Sequence, residues 1–394
     1  MPPDIKNNLS YMSNGKGKKH KIILTGGGTG GHIFPLIAIV REVKRILPVE
    51  TLDIHYLGPK DGIPRKYIER EGIKVKYISA GKIRRYSGIQ PFLQNLIDMF
   101  IKTPIGVVQS FIFLFSFSPD MILSKGGYGS FPVILSGRML QIPSFMHESD
   151  SVVGAANKFL QRFIAEIFVA FPNTEGVDKA KMLVVGNPIR EELIKGNKEK
   201  ARSIFNLKGE KPVLLILGGS QGSERINDLL LSSIRMALED FEIIHQCGGK
   251  NHEQIAAEVN AVITRKDLKE RYHAYPFLEE EKLKHAYKCA DLVVSRAGSG
   301  TIFEVAANGR AGVFLPLPES AQDHQVKNAY EYAASGAAVV MEEGNLTSHF
   351  FLEKLREIFS IREQIEEMEK NALKFAKPRA GYIVAAYIKE YLTR

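Results

Sequence analysis

Tryptophan is absent from this 394-residue chain, and cysteine is nearly so, with only Cys247 and Cys289. Two cysteines build no disulfide framework, and no Cys-x-x-Cys pair is present for zinc. A reducing, cytosolic setting is therefore expected. There is no His-Glu-x-x-His and no Ser/His/Asp spacing of a hydrolase triad, so no metal site is expected. Asp-x-Asp never occurs, which argues against a magnesium–nucleotide site held by that carboxylate pair. No Gly-Lys-Ser/Thr closes any glycine loop, which disfavours a Walker A ATPase. Residues 1–20 lack the apolar run of an export signal; they end in Lys16, Lys18, Lys19 and His20 and read as a disordered basic tail. Residues 105–118 are almost wholly apolar but too short to cross a bilayer, which takes about 20 residues. Upstream, Asp98, Lys102 and Pro104 interrupt the run, so a buried or interfacial helix is expected.

What is present is an ordinary globular mixture, 44% hydrophobic and 25% charged. The length suggests two domains, because single cores stop growing at about 250–300 residues. The net charge of +9 favours an anionic partner: nucleic acid, an acidic membrane surface or a phosphorylated substrate. Short β-branched runs alternate with amphipathic helical runs. Strands are expected at 21–25, 52–57, 75–78, 121–123, 144–146, 167–170 and 182–185. The rhythm breaks at Gly186-Asn187-Pro188 and passes through a charged stretch, 195–212, with one short helix. It restarts at 213–217, 241–246, 272–274, 292–295, 312–315 and 338–341. This is an α/β pattern of two doubly wound parallel sheets. The domains are expected at 21–186 and 187–377, with a C-terminal helix from 378 to 394 packing back on the first.

Three glycine loops follow strands and precede helices: Gly26-Gly27-Gly28-Thr29-Gly30-Gly31-His32, Gly218-Gly219-Ser220-Gln221-Gly222-Ser223, and Ala297-Gly298-Ser299-Gly300-Thr301. Glycine lets a ligand approach the backbone, and a helix N-terminus offers unpaired N–H groups and the positive end of its dipole, so phosphate is the natural guest. The first loop matches Gly-x-Gly-x-x-Gly, but the second strand ends Tyr56-Leu57-Gly58 with no acid for a dinucleotide ribose. A nicotinamide oxidoreductase is therefore disfavoured. The first helix is expected from about Phe34 to Leu47. His32, beside the loop, suits a neutral general base. Arg190, after the Gly-Asn-Pro break, suits a diphosphate. Glu304 either completes a capping box with Thr301 or accepts two ribose hydroxyls. Asp323-His324-Gln325 with Asn328 suits hydroxyl recognition or a simple helix start. His147-Glu148-Ser149-Asp150 follows a strand, where parallel sheets place ligands.

Together GGGTGGHIFP (26–35), KGGYGSFP (125–132), HESDSVVGAANK (147–158), GNPIR (186–190), GGSQGSERIN (218–227), SRAGSGTIFE (295–304) and DHQVKNA (323–329) resemble the bacterial peptidoglycan N-acetylglucosaminyltransferases. The likeness covers about residues 21–392. It implies two Rossmann-like domains facing a cleft, the GT-B arrangement. It implies inverting transfer of GlcNAc from UDP-GlcNAc to the C4 hydroxyl of MurNAc in lipid I, making lipid II, with no cofactor and no nucleic acid. By resemblance, Ser220 and Arg190 hold the UDP phosphates, Glu304 the ribose, and the Leu278 backbone the uracil. Gln325 and His324 read the GlcNAc hydroxyls. Ser299, Gly300 and Thr301 line the donor site, with Asp150 a further donor contact. Gly28, Thr29 and Gly30 line the transfer site. Gly31, His32, Gly126, Gly127 and Tyr128 border the acceptor. His32 is the expected base, with Asp150 and Glu148 as competitors. Many members carry His-Glu-Gln-Asn where this chain has His147-Glu148-Ser149-Asp150, and an Asp carboxylate accepts but does not donate.

A lipid-linked acceptor implies a peripheral location on the cytoplasmic face of the cell membrane. Lys82, Arg84 and Arg85 flank Ile83, Ile89, Phe92, Leu93, Leu96 and Phe100, a composition suited to an anionic inner-membrane surface. Alternatives left open are another UDP-sugar transferase with a lipid acceptor such as diacylglycerol, and a catalytically silent nucleotide-sugar sensor at the membrane.

Overall fold

Val, Ile and Leu runs with no polar face can be buried only if both sides of a sheet are covered, and this chain buries them twice. The computed structural model describes residues 19–27, 29–60, 65–82, 89–219, 221–318 and 320–394. Residues 1–18, Gly28, Ile83, Arg84, Arg85 and Ser220 thus lie outside the described residues. The first sheet has seven strands: β1 (His20–Thr25), β2 (Leu52–Gly58), β3 (Lys74–Tyr77), β4 (Met121–Ser124), β5 (Ser144–Glu148), β6 (Glu166–Val169) and β7 (Met182–Val184), in the order β3-β2-β1-β4-β5-β6-β7. The second has six: β8 (Val213–Leu217), β9 (Glu242–Gln246), β10 (Tyr272–Tyr275), β11 (Leu292–Ser295), β12 (Gly312–Phe314) and β13 (Ala338–Val340), in the order β10-β9-β8-β11-β12-β13. Every pairing is parallel. All the expected strands form, and the α/β reading holds.

Side chains alternate between two cores in each sheet. Ile22, Leu24, Met121, Leu123, Phe145 and Phe168 face one core, while Ile23, Ile122, Met146 and Ile167 face the other. Leu215, Ile244, Val293 and Phe314 likewise oppose Leu214, Ile243, Val294 and Val313. Strand order reverses between β1 and β4, and again between β8 and β11. The carboxyl ends at such a switch point leave a crevice for ligands. The loops after β1 and β4 and after β8 and β11 are the glycine-bearing segments singled out above.

Several local expectations are corrected. β1 begins at His20, inside the expected tail. The first helix spans Gly30–Ile46, starting four residues before the expected Phe34 and enclosing Pro35. Proline favours a helix's first position, which suggests a later start. Here it lies more than a turn inside, where it denies the Gly31 carbonyl its i+4 donor. The apolar stretch belongs to one continuous helix: Ile89–Ile97, a π-helical turn Asp98–Lys102, then Thr103–Phe117. Asp98 and Lys102 do not interrupt it, because they pair with each other at 2.6 Å. Pro104 sits only two residues after that turn. Gln90–Phe117 is long and apolar enough to cross a membrane by length and composition. One face nevertheless packs on protein: Gly106, Ser110 and Leu114 are buried. At Gly106 any side chain would collide with the Ser79 carbonyl. The opposite face exposes Phe92, Phe100, Ile112 and Phe115.

The C-terminal helix Ala380–Thr393 returns to the first sheet's side. Val384, Ala385 and Ile388 join the core of Leu36, Val40 and Phe168. Tyr387 and Tyr391 set their rings edge-on to Phe145. The 186–190 crossover runs beside the return crossover. Gly186, at φ +91°, lies so close to Lys377 that a side chain there would collide with it.

Candidate active site

The two crevices face each other, and polar bonds cross between them. Asn328 Nδ2 donates to Asp150 Oδ1 at 2.8 Å, and Ser151 N donates to Asn328 Oδ1 at 2.8 Å. Arg41 pairs with Glu280 at 2.9 Å. Arg190 lies beside Glu280 at 3.3 Å and Glu304 at 3.4 Å, with its guanidinium over the Phe34 ring. A cation held by two carboxylates on the second crevice is placed where a diphosphate could replace one of them.

On the first side, the helix Gly30–Ile46 opens at Thr29 without a side-chain cap. His32 Nδ1 lies 2.9 Å from Thr29 Oγ1. The imidazole fits between Gly27 and Gly127; a Cβ on Gly127 would stand 3.1 Å from His32 Nε2. Gly126 and Gly127 have φ of +78° and +79°, a region that glycine enters without cost. Their amides are already used: Gly126 N donates to Ser124 Oγ, and Gly127 N to Asn157 Oδ1. Tyr128 is half-buried at the rim of this loop. Burial, then the nearby Lys125 ammonium, pushes His32 down to about 4, so the imidazole is neutral.

Glu148 is buried at the end of β5. Its carboxylate accepts from Asn157 Nδ2 at 2.7 Å and from Asp150 N at 3.2 Å. Burial first, and then the charge of Asp150, raises its pKa. His147 Nε2 donates to the Gly186 carbonyl at 2.9 Å, and burial holds this imidazole neutral as well.

On the second side, the helix Ser299–Ala307 begins after Gly298 with no side-chain cap. The amides of Ser299, Gly300 and Thr301 therefore have no intrahelical acceptor. Thr301 lies inside this helix, so the Thr301/Glu304 capping box does not form. Glu304 instead accepts from Tyr287 Oη at 2.9 Å. Arg296 braces the region, donating to Ser223 Oγ and the Leu315 carbonyl and pairing with Glu343. Leu278 N donates to Gln246 Oε1 at 2.8 Å, so this amide is already engaged. Gln246 Nε2 donates to the Gly219 carbonyl, tying that point to the second glycine loop. Gln322 and Asp323 both adopt left-handed backbone ahead of the helix His324–Ala333, with no cap from Asp323. That strain is not an ordinary helix start. Gln325 Oε1 accepts from Leu317 N, and His324 Nδ1 donates to the Ala321 carbonyl.

Buried polar atoms without a partner gather around this cleft: Lys125 Nζ, His147 Nδ1, Ser151 Oγ, both side-chain atoms of Asn187, Arg190 Nε and Ser299 Oγ. Such atoms are rare in folded proteins, and each calls for an explanation. Among the described residues, no three His, Cys, Asp or Glu side chains group to hold a metal ion. Sequence reasoning missed Lys125, Asn157, Gln246, Glu280 and Tyr287. Only Lys125 had a local signal, a charge placed directly after an apolar strand and before two glycines.

The N-terminal domain of glycosyltransferase family 28 matches residues 22–169, and its C-terminal domain matches residues 213–381. A Clostridium tetani protein named UDP-N-acetylglucosamine–N-acetylmuramyl-(pentapeptide) pyrophosphoryl-undecaprenol N-acetylglucosamine transferase is 36% identical over 90% of this chain and 94% of its own length. A Clostridium perfringens protein of the same name is 37% identical over 91% and 95%. The crystal structure of Acinetobacter baumannii MurG superposes with a TM-score of 0.70 at 28% identity, covering 94% of this chain and 99% of that one. The Neisseria meningitidis UDP-GlcNAc 2-epimerase, at 14% identity and a TM-score of 0.61, shares the fold alone. With both of its domains matched in order and relatives this similar along nearly the whole chain, the protein belongs to glycosyltransferase family 28.

Proposed function

We propose that this chain transfers GlcNAc from UDP-GlcNAc to the C4 hydroxyl of MurNAc in undecaprenyl-diphospho-MurNAc-pentapeptide, making lipid II. One observation carries the reading: the helix that bears a neutral His32 in the first crevice also sets its Phe34 ring under Arg190, which pairs with Glu304 in the second. The second half takes the nucleotide sugar. Its diphosphate meets Arg190, Ser220 and the amides of Ser299, Gly300 and Thr301, which supply fixed positive charge for the leaving group. Glu304, oriented by Tyr287, accepts the ribose hydroxyls. The Leu278 carbonyl meets the uracil, and His324 and Gln325 face the sugar. Asp150 is held by Asn328 across the cleft, so it orients the donor side through that residue.

The first half takes the acceptor between Gly31, His32 and the Gly126-Gly127-Tyr128 loop, while Gly28, Thr29 and Gly30 meet the donor at the transfer site. With Nδ1–H donating to Thr29 Oγ1, the His32 Nε2 lone pair faces that loop. The acceptor oxygen bonds to the sugar C1, the bond from C1 to the phosphate oxygen breaks, and the hydroxyl proton passes to Nε2. His32 is favoured over Glu148, whose oxygens are both engaged, and over Asp150, whose Oδ1 is engaged.

The 21–186 and 187–377 division, with the last helix returned to the first part, follows the two crevices. The exposed apolar face of the Ile89–Phe117 helix lies on the anionic cytoplasmic face of the membrane, and the basic segment that follows Lys82 in sequence (Ile83, Arg84, Arg85) contributes charge. Basic and apolar groups side by side favour such a surface.

The test measures UDP release from UDP-GlcNAc with and without a short-chain lipid I analogue, for the wild type and Glu304→Ala. Acceptor-dependent release that falls about 100-fold in the variant is expected. Release driven equally by diacylglycerol, or no acceptor dependence, overturns the reading.

A further inference from the structure

Lys125 stands directly after β4, and its side chain is only 2% exposed. Its Nζ has no hydrogen-bond partner. Lysine is almost never fully buried unless paired, because an uncompensated charge in the interior is costly. Two carboxylates stand nearby without bonding to it. Glu148 is engaged by Asn157 and the Asp150 amide, and Asp150 by Asn328. The groups whose charges act here come from four elements: His32 from the first helix, His147 and Glu148 from β5, Asp150 from the loop after it, and His324 from the facing half. The ammonium is thus neither a salt-bridge strut nor a surface charge. It is a cation fixed behind the glycine loop that cradles His32; a Cβ on Gly26 would stand 3.2 Å from Lys125 Cβ.

We propose that Lys125 is a positioning residue whose buried ammonium reinforces burial in keeping the His32 imidazole uncharged, and so able to accept a proton, against the carboxylates and diphosphates gathered beside it. The inference rests on the proposed reaction, in which two diphosphates enter this cleft. Each anion draws a proton onto His32, and a protonated His32 cannot serve as the base. A fixed cation opposes that pull without contact, since like charge disfavours the imidazolium. Burial pushes Lys125 down only to about 8, so it stays charged at neutral pH.

The test combines histidine and lysine NMR of the full-length protein with the pH profile of kcat/KM for wild type, Lys125→Met and Lys125→Arg. In the wild type, the Lys125 ammonium is expected to titrate well below the exposed lysines, at about 8. In Lys125→Met, the His32 titration and the acidic limb of kcat/KM both move up by about one pH unit. Lys125→Arg restores both. An acidic limb that stays in place while activity falls uniformly means that Lys125 only fills space, and overturns the proposal. If neither variant folds, a wild-type Lys125 that titrates with the exposed lysines overturns it as well. Full transfer by His32→Gln would sink the choice of base instead, while the His32 titration in Lys125→Met still judges the coupling.

Discussion

Gly127 shows how narrowly one position is defined. Its positive φ strains any side chain, and a methyl group would stand 3.1 Å from His32 Nε2, so the imidazole would have to yield. Gly127→Ala is expected to cost about 1–2 kcal/mol of stability, read as a shift in the urea midpoint. It is expected to lower kcat about 100-fold by displacing the imidazole; a variant with unchanged kcat would show that His32 has room to spare. The residues of the site were legible unevenly. His32, Arg190 and Glu304 stand in short motifs whose chemistry is local. Their partners do not. The Asn328–Asp150 bond joins positions 178 apart, and the Gln246–Leu278 bond positions 32 apart. Each exists only after β5, β9 and the facing helices are placed, and no spacing rule encodes it. The capping box failed for a related reason: its helix starts two residues earlier than Thr301, after an uncapped glycine.

Among elements, strands were legible nearly to the residue, because a strand buried on both faces of a parallel sheet must be apolar throughout. Helix starts were not. The expected start at Phe34 lies four residues inside the helix, which encloses Pro35. The helix Ile89–Phe117 also escaped, since its charged pair reads as an interruption but closes on itself. Its outer face can be tested directly. Phe100 and Phe115 are 65% and 69% exposed. Replacing both by Ser is expected to leave stability within about 0.5 kcal/mol and to preserve turnover of a soluble acceptor. Sedimentation with phosphatidylglycerol vesicles is expected to fall more than about tenfold, since burying one such ring is worth about 1.5–3 kcal/mol. Unchanged sedimentation would move the membrane contact elsewhere.

The whole molecule carries a pH signature. Burial pushes His32 down to about 4 and His245 to about 3, and holds His147 well below its ordinary value. Unfolded, each takes up a proton near 6.5. Below that pH the unfolded chain binds more protons, so stability falls as pH drops from about 7 towards 4, by up to about 1.4 kcal/mol per pH unit for each histidine. Urea midpoints at pH 7.5, 6 and 5 are expected to decline steadily; equal midpoints would mean the imidazoles titrate in place. The return of the Ala380–Thr393 helix also dictates an order of events. Its Val384, Ala385 and Ile388 complete the core around β1, β4 and β6. During synthesis those side chains emerge only after the entire second sheet has been made. The half translated first is therefore the half that finishes folding last, and until then the ribosome carries it with an open apolar flank.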